Sequence, residues 1–553
     1  MSKRQRRMQQ KQRRHERSGP SKRRLAAGAG LMIGATLAGA GTAHAGAGDI
    51  TVNSSADPGV GVCDGTECTL REAITAANSD ATSDDIVFAS SLSGSTITLD
   101  SSMTSIDYPV RILGPGPGQL TVDGTDNYQL LFISPSSGDD VLVSGLSLTN
   151  GSGSSGGSGP NGGAIHTDSA DLTLFNIVVS SSTASYQADG GAIGFDSGTL
   201  AVQNSTITGN GAVNNNGGAI YNYTGTPVTV QGSTIAYNYA TYSGGNSSGG
   251  GINGPATIQN STVYNNYADG NGGGVIGDVT VQNSTITDNS ALGDGGGIWS
   301  GGTSTLTNSI VANNGAGGSG SNVSGGTFDA AFSLLETTDG ATVNDTVGGS
   351  LITGQDPQLD PLANNGGPTQ TEALAATSPA LDKGSGTGTD QRGLPRPFDF
   401  TTVANSAAAG ANGADIGAFE LQGTAAGGGT GGGGTTTVTP PKCKGKTATI
   451  FARPGLARTF NGTNKKDVIV GTNAKDTIKA KGGNDTVCAK GGKDTVKGGG
   501  GKDKLYGQGG ADKLVGGGGN DKLVGGGGGD KLLGKGGNDT CVGGAGKDIE
   551  KSC

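Results

Sequence analysis

Ten aspartates, Asp467, Asp476, Asp485, Asp494, Asp503, Asp512, Asp521, Asp530, Asp539 and Asp548, follow one another at a spacing of nine without a break. Two residues after most of them comes an apolar side chain: Ile469, Ile478, Val487, Val496, Leu505, Leu514, Leu523 and Leu532. Glycines crowd the positions before them, best seen at Gly516-Gly517-Gly518-Gly519-Asn520-Asp521. A chain that repeats at a fixed period folds as a stack of like units, each burying a little and completed by its neighbours. Composition agrees: 109 of the 553 residues are glycine, 32% are hydrophobic and 4% aromatic, too few for one large compact core. The same composition without a period would read as disorder.

A looser period runs through residues 46–421. Asn204-Ser205-Thr206-Ile207-Thr208-Gly209-Asn210 is echoed by Ser233-Thr234-Ile235 ending at Asn238, and by Asn260-Ser261-Thr262-Val263 ending at Asn266. It returns as Asn283-Ser284-Thr285-Ile286 ending at Asn289 and as Asn308-Ser309-Ile310 ending at Asn313. Between the copies a Gly-Gly-small-apolar motif places Ile165, Ile193, Ile220, Ile252, Val275 and Ile298 at spacings of 28, 27, 32, 23 and 23 residues. Three short strands joined by turns need about 20–30 residues per coil. The expected fold is therefore all-β: a right-handed parallel β-helix with coils over residues 81–354, then a parallel β-roll over 442–553. Ile207 and its equivalents should stack inward, with the asparagines forming a ladder at one corner. Glycine pairs supply turn conformations closed to other residues.

The flanks add context. Residues 1–24 carry eleven Lys and Arg against Glu16; Leu25–Thr42 is uncharged, and Ala43-His44-Ala45 has the small-x-small form of a signal-peptidase site. Residues 1–45 thus read as an export signal, with Arg23-Arg24 permitting a twin-arginine route. No later segment reaches about 18 apolar residues, so no transmembrane helix is expected. Residues 46–423 hold 5 basic and 34 acidic residues, net −29, whereas 424–553 hold 21 and 11, net +10. Gln422–Pro441 is a Gly/Thr/Pro tether between these bodies. Six cysteines suit an oxidising compartment, and the spacing favours Cys63–Cys68, Cys443–Cys488 and Cys541–Cys553 without settling the pairing.

Thr69-Leu70-Arg71-Glu72 is a capping box opening a short helix over the first coil. With Cys63, Cys68, Ala73-Ile74 and Ala76-Ala77-Asn78 it resembles the CSLREA domain of bacterial surface β-helix proteins, Thr69 standing where that domain has serine. This places a cap at 46–80. Residues 355–421 resemble a choice-of-anchor Q domain, through Asp360-Pro361-Leu362, Asn365-Gly366-Gly367-Pro368-Thr369, Ser378-Pro379-Ala380-Leu381-Asp382, Asp390-Gln391-Arg392-Gly393 and Asp415-Ile416-Gly417-Ala418-Phe419-Glu420. The Gly-Gly-Ala-Ile repeats also look like those of polymorphic outer-membrane proteins. These resemblances imply a secreted or surface-exposed β-helix. The nonapeptides are similar to the RTX pattern G-G-x-G-x-D-x-U-x, which implies calcium held by carbonyls and carboxylates of stacked turns. Asp485, Asp494, Asp503, Asp512, Asp521, Asp530, Asp539 and Asp548 are the candidate ligands. The segment departs from that family in charge: residues 461–553 hold 16 lysines against 11 acids, so anionic wall polymers compete with calcium as the partner.

The coils offer little catalytic chemistry. Residues 112–382 contain no lysine or arginine, which argues strongly against a pectate-type lyase site on the coils. A glycan hydrolase would need two carboxylates, and Asp189, Asp196, Asp278, Asp288 and Asp294 are available. Seven of eleven tyrosines fall within 221–267. Of these, Tyr221, Tyr223, Tyr237, Tyr239, Tyr264 and Tyr267 are candidates for binding an extracellular glycan, with Tyr239 above Tyr267 on adjacent coils. His166 reads as a surface residue without a titratable partner, and Trp299 as its outward equivalent on a later coil. The expected protein is a non-catalytic extracellular structural or adhesive one, with calcium in its C-terminal repeats and no specific nucleic-acid partner. A secreted glycan-active enzyme and a metal-free cationic wall-binding module are the alternatives.

Overall fold

The computed structural model describes residues 49–57, 61–79, 83–135, 139–154, 162–185, 188–223, 225–242, 247–422, 442–444, 446–447, 450–451, 459–461, 466–471 and 475–553. The expected export signal at 1–45 and all but Gln422 of the tether to Pro441 lie outside these residues. The chain divides near residue 431 into two compact units.

The first unit is a parallel β-helix with sheets of 18, 11 and 7 strands. A middle coil uses four short strands where three were expected. Ile193–Phe195 and Thr199–Gln203 lie in the first sheet, Thr206–Thr208 in the second and Gly211–Val213 in the third. Alternation sends every second side chain inward, so Ile207 stacks on Ile235, then Val263, Ile286, Val311 and Leu335, all fully buried. Each such aliphatic contributes on the order of 1.5–3 kcal/mol relative to exposure. The corners are turned by Asn176, Asn204, Asn260, Asn283 and Asn308, with φ between 43° and 51°, a left-handed region that asparagine enters more readily than most residues. In a glycine pair the two members have different reasons: Gly217 has φ 72°, and a side chain on Gly218 would collide with the Gly250 carbonyl of the next coil.

The asparagine ladder runs Asn210, Asn238, Asn266, Asn289, Asn314, Asn322, each Nδ2 donating to the next Oδ1 at 2.9–3.0 Å. Its fifth member corrects the expected Asn313. Ile310 pairs with Thr285 rather than Ile286, so Val311 enters the core, and Asn313 occupies a left-handed corner. Ile310 misleads because it is apolar on the outer side. That side is covered at this coil: Ile310 packs with Leu374, Ala380, Ile416 and Phe419. A second ladder escaped the sequence reading. Ser205, Ser233, Ser261, Ser284 and Ser309 each donate a backbone N–H to the serine Oγ of the following coil at 3.1–3.2 Å.

Residues 355–421 do not continue the stack. They fold back along the outer side of the second sheet, where Thr369 Oγ1 donates to Gly232 O, Thr234 Oγ1 to Gln370 O and Thr262 Oγ1 to Gln391 Oε1. Farther along, Ala418 N donates to Thr285 Oγ1 and Asn308 Nδ2 to Asp415 O. At the other end the helix Leu70–Ala77 carries the expected capping box and buries Leu70, Ala73, Ile74 and Ala77 against the first coil.

The second unit is a roll of two six-stranded parallel sheets. Each strand pairs with the one 18 residues later, so two nonapeptides make one coil. Its core is two thin columns, Ile469-Val487-Leu505-Leu523 and Ile478-Val496-Leu514-Leu532, all fully buried. The cysteines pair as 63–68, 443–488 and 541–553. Among the described residues no helix is long and apolar enough to cross a membrane.

Candidate functional site

In the roll, the period of nine brings the aspartates into two columns. Each backbone N–H donates to the Oδ1 of the aspartate one coil on: Asp485 to Asp503, Asp494 to Asp512, Asp503 to Asp521 and Asp512 to Asp530, at 2.8–2.9 Å. The other carboxylate oxygens have no such donor. Oδ2 of Asp485, Asp494, Asp503, Asp512, Asp521, Asp530 and Asp539 is buried without a hydrogen bond. A buried, unpaired acceptor is costly. Burial first, and then the stacked neighbours' charges, push Asp494 up to about 7 and Asp503 and Asp512 to about 6. Asp485, Asp521 and Asp530 shift the same way for the same reasons.

The glycines five residues earlier explain where an ion could enter. A side chain on Gly498 would fill the space on which Asp503 Oδ2 and the Gly516 carbonyl converge. The same convergence recurs beside Gly507, Gly516 and Gly525, with Asp512, Asp521 and Asp530. A pocket of carboxylate and carbonyl oxygens lacking a donor suits a hard divalent cation. Asp485 and Asp494 differ, because Ala480 and Ala489 stand at the equivalent positions and their methyl groups occupy that space.

The repeat family described as RTX calcium-binding nonapeptide repeat (4 copies) matches residues 461–496, 489–523 and 515–550. The C-terminal repeats are calcium-binding repeats. Position two of the nonapeptide carries Lys481, Lys490, Gln508 and Lys535 in place of glycine, all at φ between 75° and 89°. No curated protein matches the chain. Among solved structures, the PL6 family alginate lyase AlyGC is 11% identical with a TM-score of 0.27, over 89% of this chain and 76% of that one. An arginine-to-alanine mutant of that lyase gives 11% and 0.26, over 89% and 72%.

The lysines of the roll point the other way from its aspartates. Lys504 pairs with Lys522 and Lys513 with Lys531, all four exposed. Among the described residues none of these four is ion-paired; the ion pairs involve Arg71, Arg111, His166, Arg392 and Arg396.

In the β-helix, the six candidate tyrosines do not form one platform. Tyr221 lies in the first sheet with the exposed Tyr223 just beyond it; Tyr237 and Tyr264 meet edge-to-face beside the second sheet. Tyr239 and Tyr267 are paired in the third. The residues cluster in sequence because one coil spans all three sheets. Several of the five candidate carboxylates serve turns: Asp189 accepts from Asn216 N, Asp294 from Ser319 N, and Asp278 from Ser300 Oγ and Gly302 N.

His166 requires the largest correction. It is 6% exposed rather than a surface residue, and its Nε2 lies 3.0 Å from Asp168 Oδ1 and 3.8 Å from Asp196 Oδ2. Burial pulls its pKa down, but the two carboxylates outweigh this and raise it to about 9. The signal was present in the sequence: Asp168 is two residues on, and Asp196 follows Asp168 at the coil spacing of 28.

Proposed function

We propose that this is an extracellular, non-catalytic surface or matrix protein. Its β-helix serves as a stiff presenting body, and its roll folds fully when calcium occupies the aspartate columns. The observation that carries this reading is the row of buried Oδ2 atoms without a donor. Asp503, Asp512, Asp521, Asp530, Asp539 and Asp548, each preceded by an open glycine, are the primary ligands; Asp485 and Asp494 are secondary. The disulfides and the resemblances of the cap and of residues 355–421 support an exported setting. Calorimetric titration of the full chain with calcium, followed in parallel by circular dichroism, tests it. Heat with a gain of sheet signal is expected; a chelated protein with full sheet content and no heat on adding calcium overturns it.

The exposed lysine columns favour a second reading, in which the roll also holds a linear polyanion such as an acidic wall polymer. Stacked strands space these charges at about 4.8 Å, and inward-turned aspartates leave them uncompensated. Salt-sensitive retention on isolated cell walls, reduced by replacing Lys504, Lys513, Lys522 and Lys531 with glutamine, is the expected result. Retention that neither salt nor these changes affect removes this reading.

A further inference from the structure

His166 sits at the middle of the strand Ile165–Thr167, paired with Phe132 on one coil and Gly194 on the next. The Phe132 ring covers it at 5.1 Å, while the glycine leaves the other flank without a side chain. Asp168 and Asp196 follow the equivalent residues Thr167 and Phe195, so they leave the same corner on adjacent coils. Their backbones are fixed there by the coil ladder: Asp168 N donates to Ile133 O and Asp196 N to Thr167 O, both at 2.9 Å. Ser134 Oγ also donates to Asp168 Oδ2 at 2.9 Å, which orients that carboxylate toward the imidazole.

Two features separate this cluster from an ordinary ion pair. The buried Nε2 faces two carboxylates at once, 3.0 Å from Asp168 Oδ1 and 3.8 Å from Asp196 Oδ2, and Asp196 Oδ1 is buried without a hydrogen bond. One ring nitrogen and two carboxylate oxygens converging on one point are arranged as the ligands of a single ion are. Metal–ligand bonds of about 2.0–2.2 Å put neighbouring ligand atoms roughly 3–3.6 Å apart. Here the separations are 3.0 and 3.8 Å, and all three donor atoms lie within 4.8 Å of one another. The second feature is charge. Residues 112–382 hold no lysine or arginine, and Arg111 is committed to Asp85; among the described residues no side-chain cation other than His166 is ion-paired with these carboxylates.

We propose that His166, Asp168 and Asp196 bind a divalent cation of the zinc class. An imidazole nitrogen with two carboxylates is a donor set for such ions and a poor one for calcium. The site is therefore chemically distinct from the oxygen pockets of the roll. Asp168 and Asp196 keep 39% and 25% of their side-chain surface exposed, so three protein ligands leave a coordination position open to water. Among the described residues no cysteine is free to compete for the metal.

The test is calorimetric titration of the full chain with zinc chloride in saturating calcium, repeated on Asp168→Asn, Asp196→Asn and His166→Ala. One zinc per chain is expected in the parent, with affinity weakened about tenfold or more in either asparagine variant and lost in His166→Ala. Because His166 is buried, cobalt(II) absorption provides a second readout on the two asparagine variants, whose changed side chains are part-exposed. The visible bands of a nitrogen- and oxygen-ligated ion should appear in the parent and weaken in both variants at unchanged circular dichroism. Absence of zinc heat in the parent, or heat and bands unchanged by either asparagine substitution, overturns the proposal. His166 would then be an imidazolium shared by two carboxylates.

Discussion

Asn266 makes four side-chain hydrogen bonds: its Oδ1 accepts from the N–H and Nδ2 of Asn238, and its Nδ2 donates to Ile235 O and Asn289 Oδ1. Each buried group left unpaired costs about 1–3 kcal/mol, so Asn266→Ala should destabilise the β-helix by about 3 kcal/mol in denaturant unfolding. Asn266→Asp should be worse, because the donor is lost and a charge is buried. Glu372 makes the opposite case, a buried acid that prefers its proton. It is 3% exposed and bonded to Thr287 Oγ1; burial, with a smaller push from Asp288, raises its pKa from 4.5 to about 8. A pKa raised by folding stabilises the fold below the unfolded value and loses that contribution as pH rises. The parent should therefore melt progressively lower between about pH 4.5 and 8. Glu372→Gln, which mimics the protonated acid, should flatten that slope in thermal melts and be the more stable protein at pH 9.

At the scale of the element, the nonapeptide decides where calcium chemistry is possible. Asp521 and Asp494 accept the same kind of backbone hydrogen bond and both keep a bare Oδ2. They differ in what stands five residues earlier, Gly516 or Ala489. Asp521→Asn should weaken calcium binding about tenfold or more at its site, whereas Asp494→Asn should leave total calcium uptake nearly unchanged; calorimetric stoichiometry distinguishes them. The spacing of nine was plain in the sequence, but the methyl in the ion's space was not, since alanine and glycine are both small residues on a one-dimensional reading. The same limit explains Asn313. An outer isoleucine looks like a core residue until the segment covering it is seen, and the ladder position then shifts by one to Asn314.

At the scale of the molecule, the two units should respond to different conditions. A ligand that binds the folded form alone stabilises it by about 2.7 kcal/mol at a hundred times its dissociation constant. Calorimetric melting of the full chain should thus give two transitions, with calcium moving the one belonging to the roll and leaving that of the β-helix in place. A single transition, or two that shift together, would contradict this. The sequence by itself determined that both parts are parallel solenoids and where most of their apolar columns lie, because these follow from period and local spacing; it favoured the cysteine pairs that the structure shows. Tertiary structure alone decided three things: that a coil has four strands, that residues 355–421 return along the second sheet, and that His166 is buried. The reason is physical. Period fixes what stacks on what, but contacts across the sheets depend on where each corner turns, and that is set by backbone geometry no repeat unit carries alone.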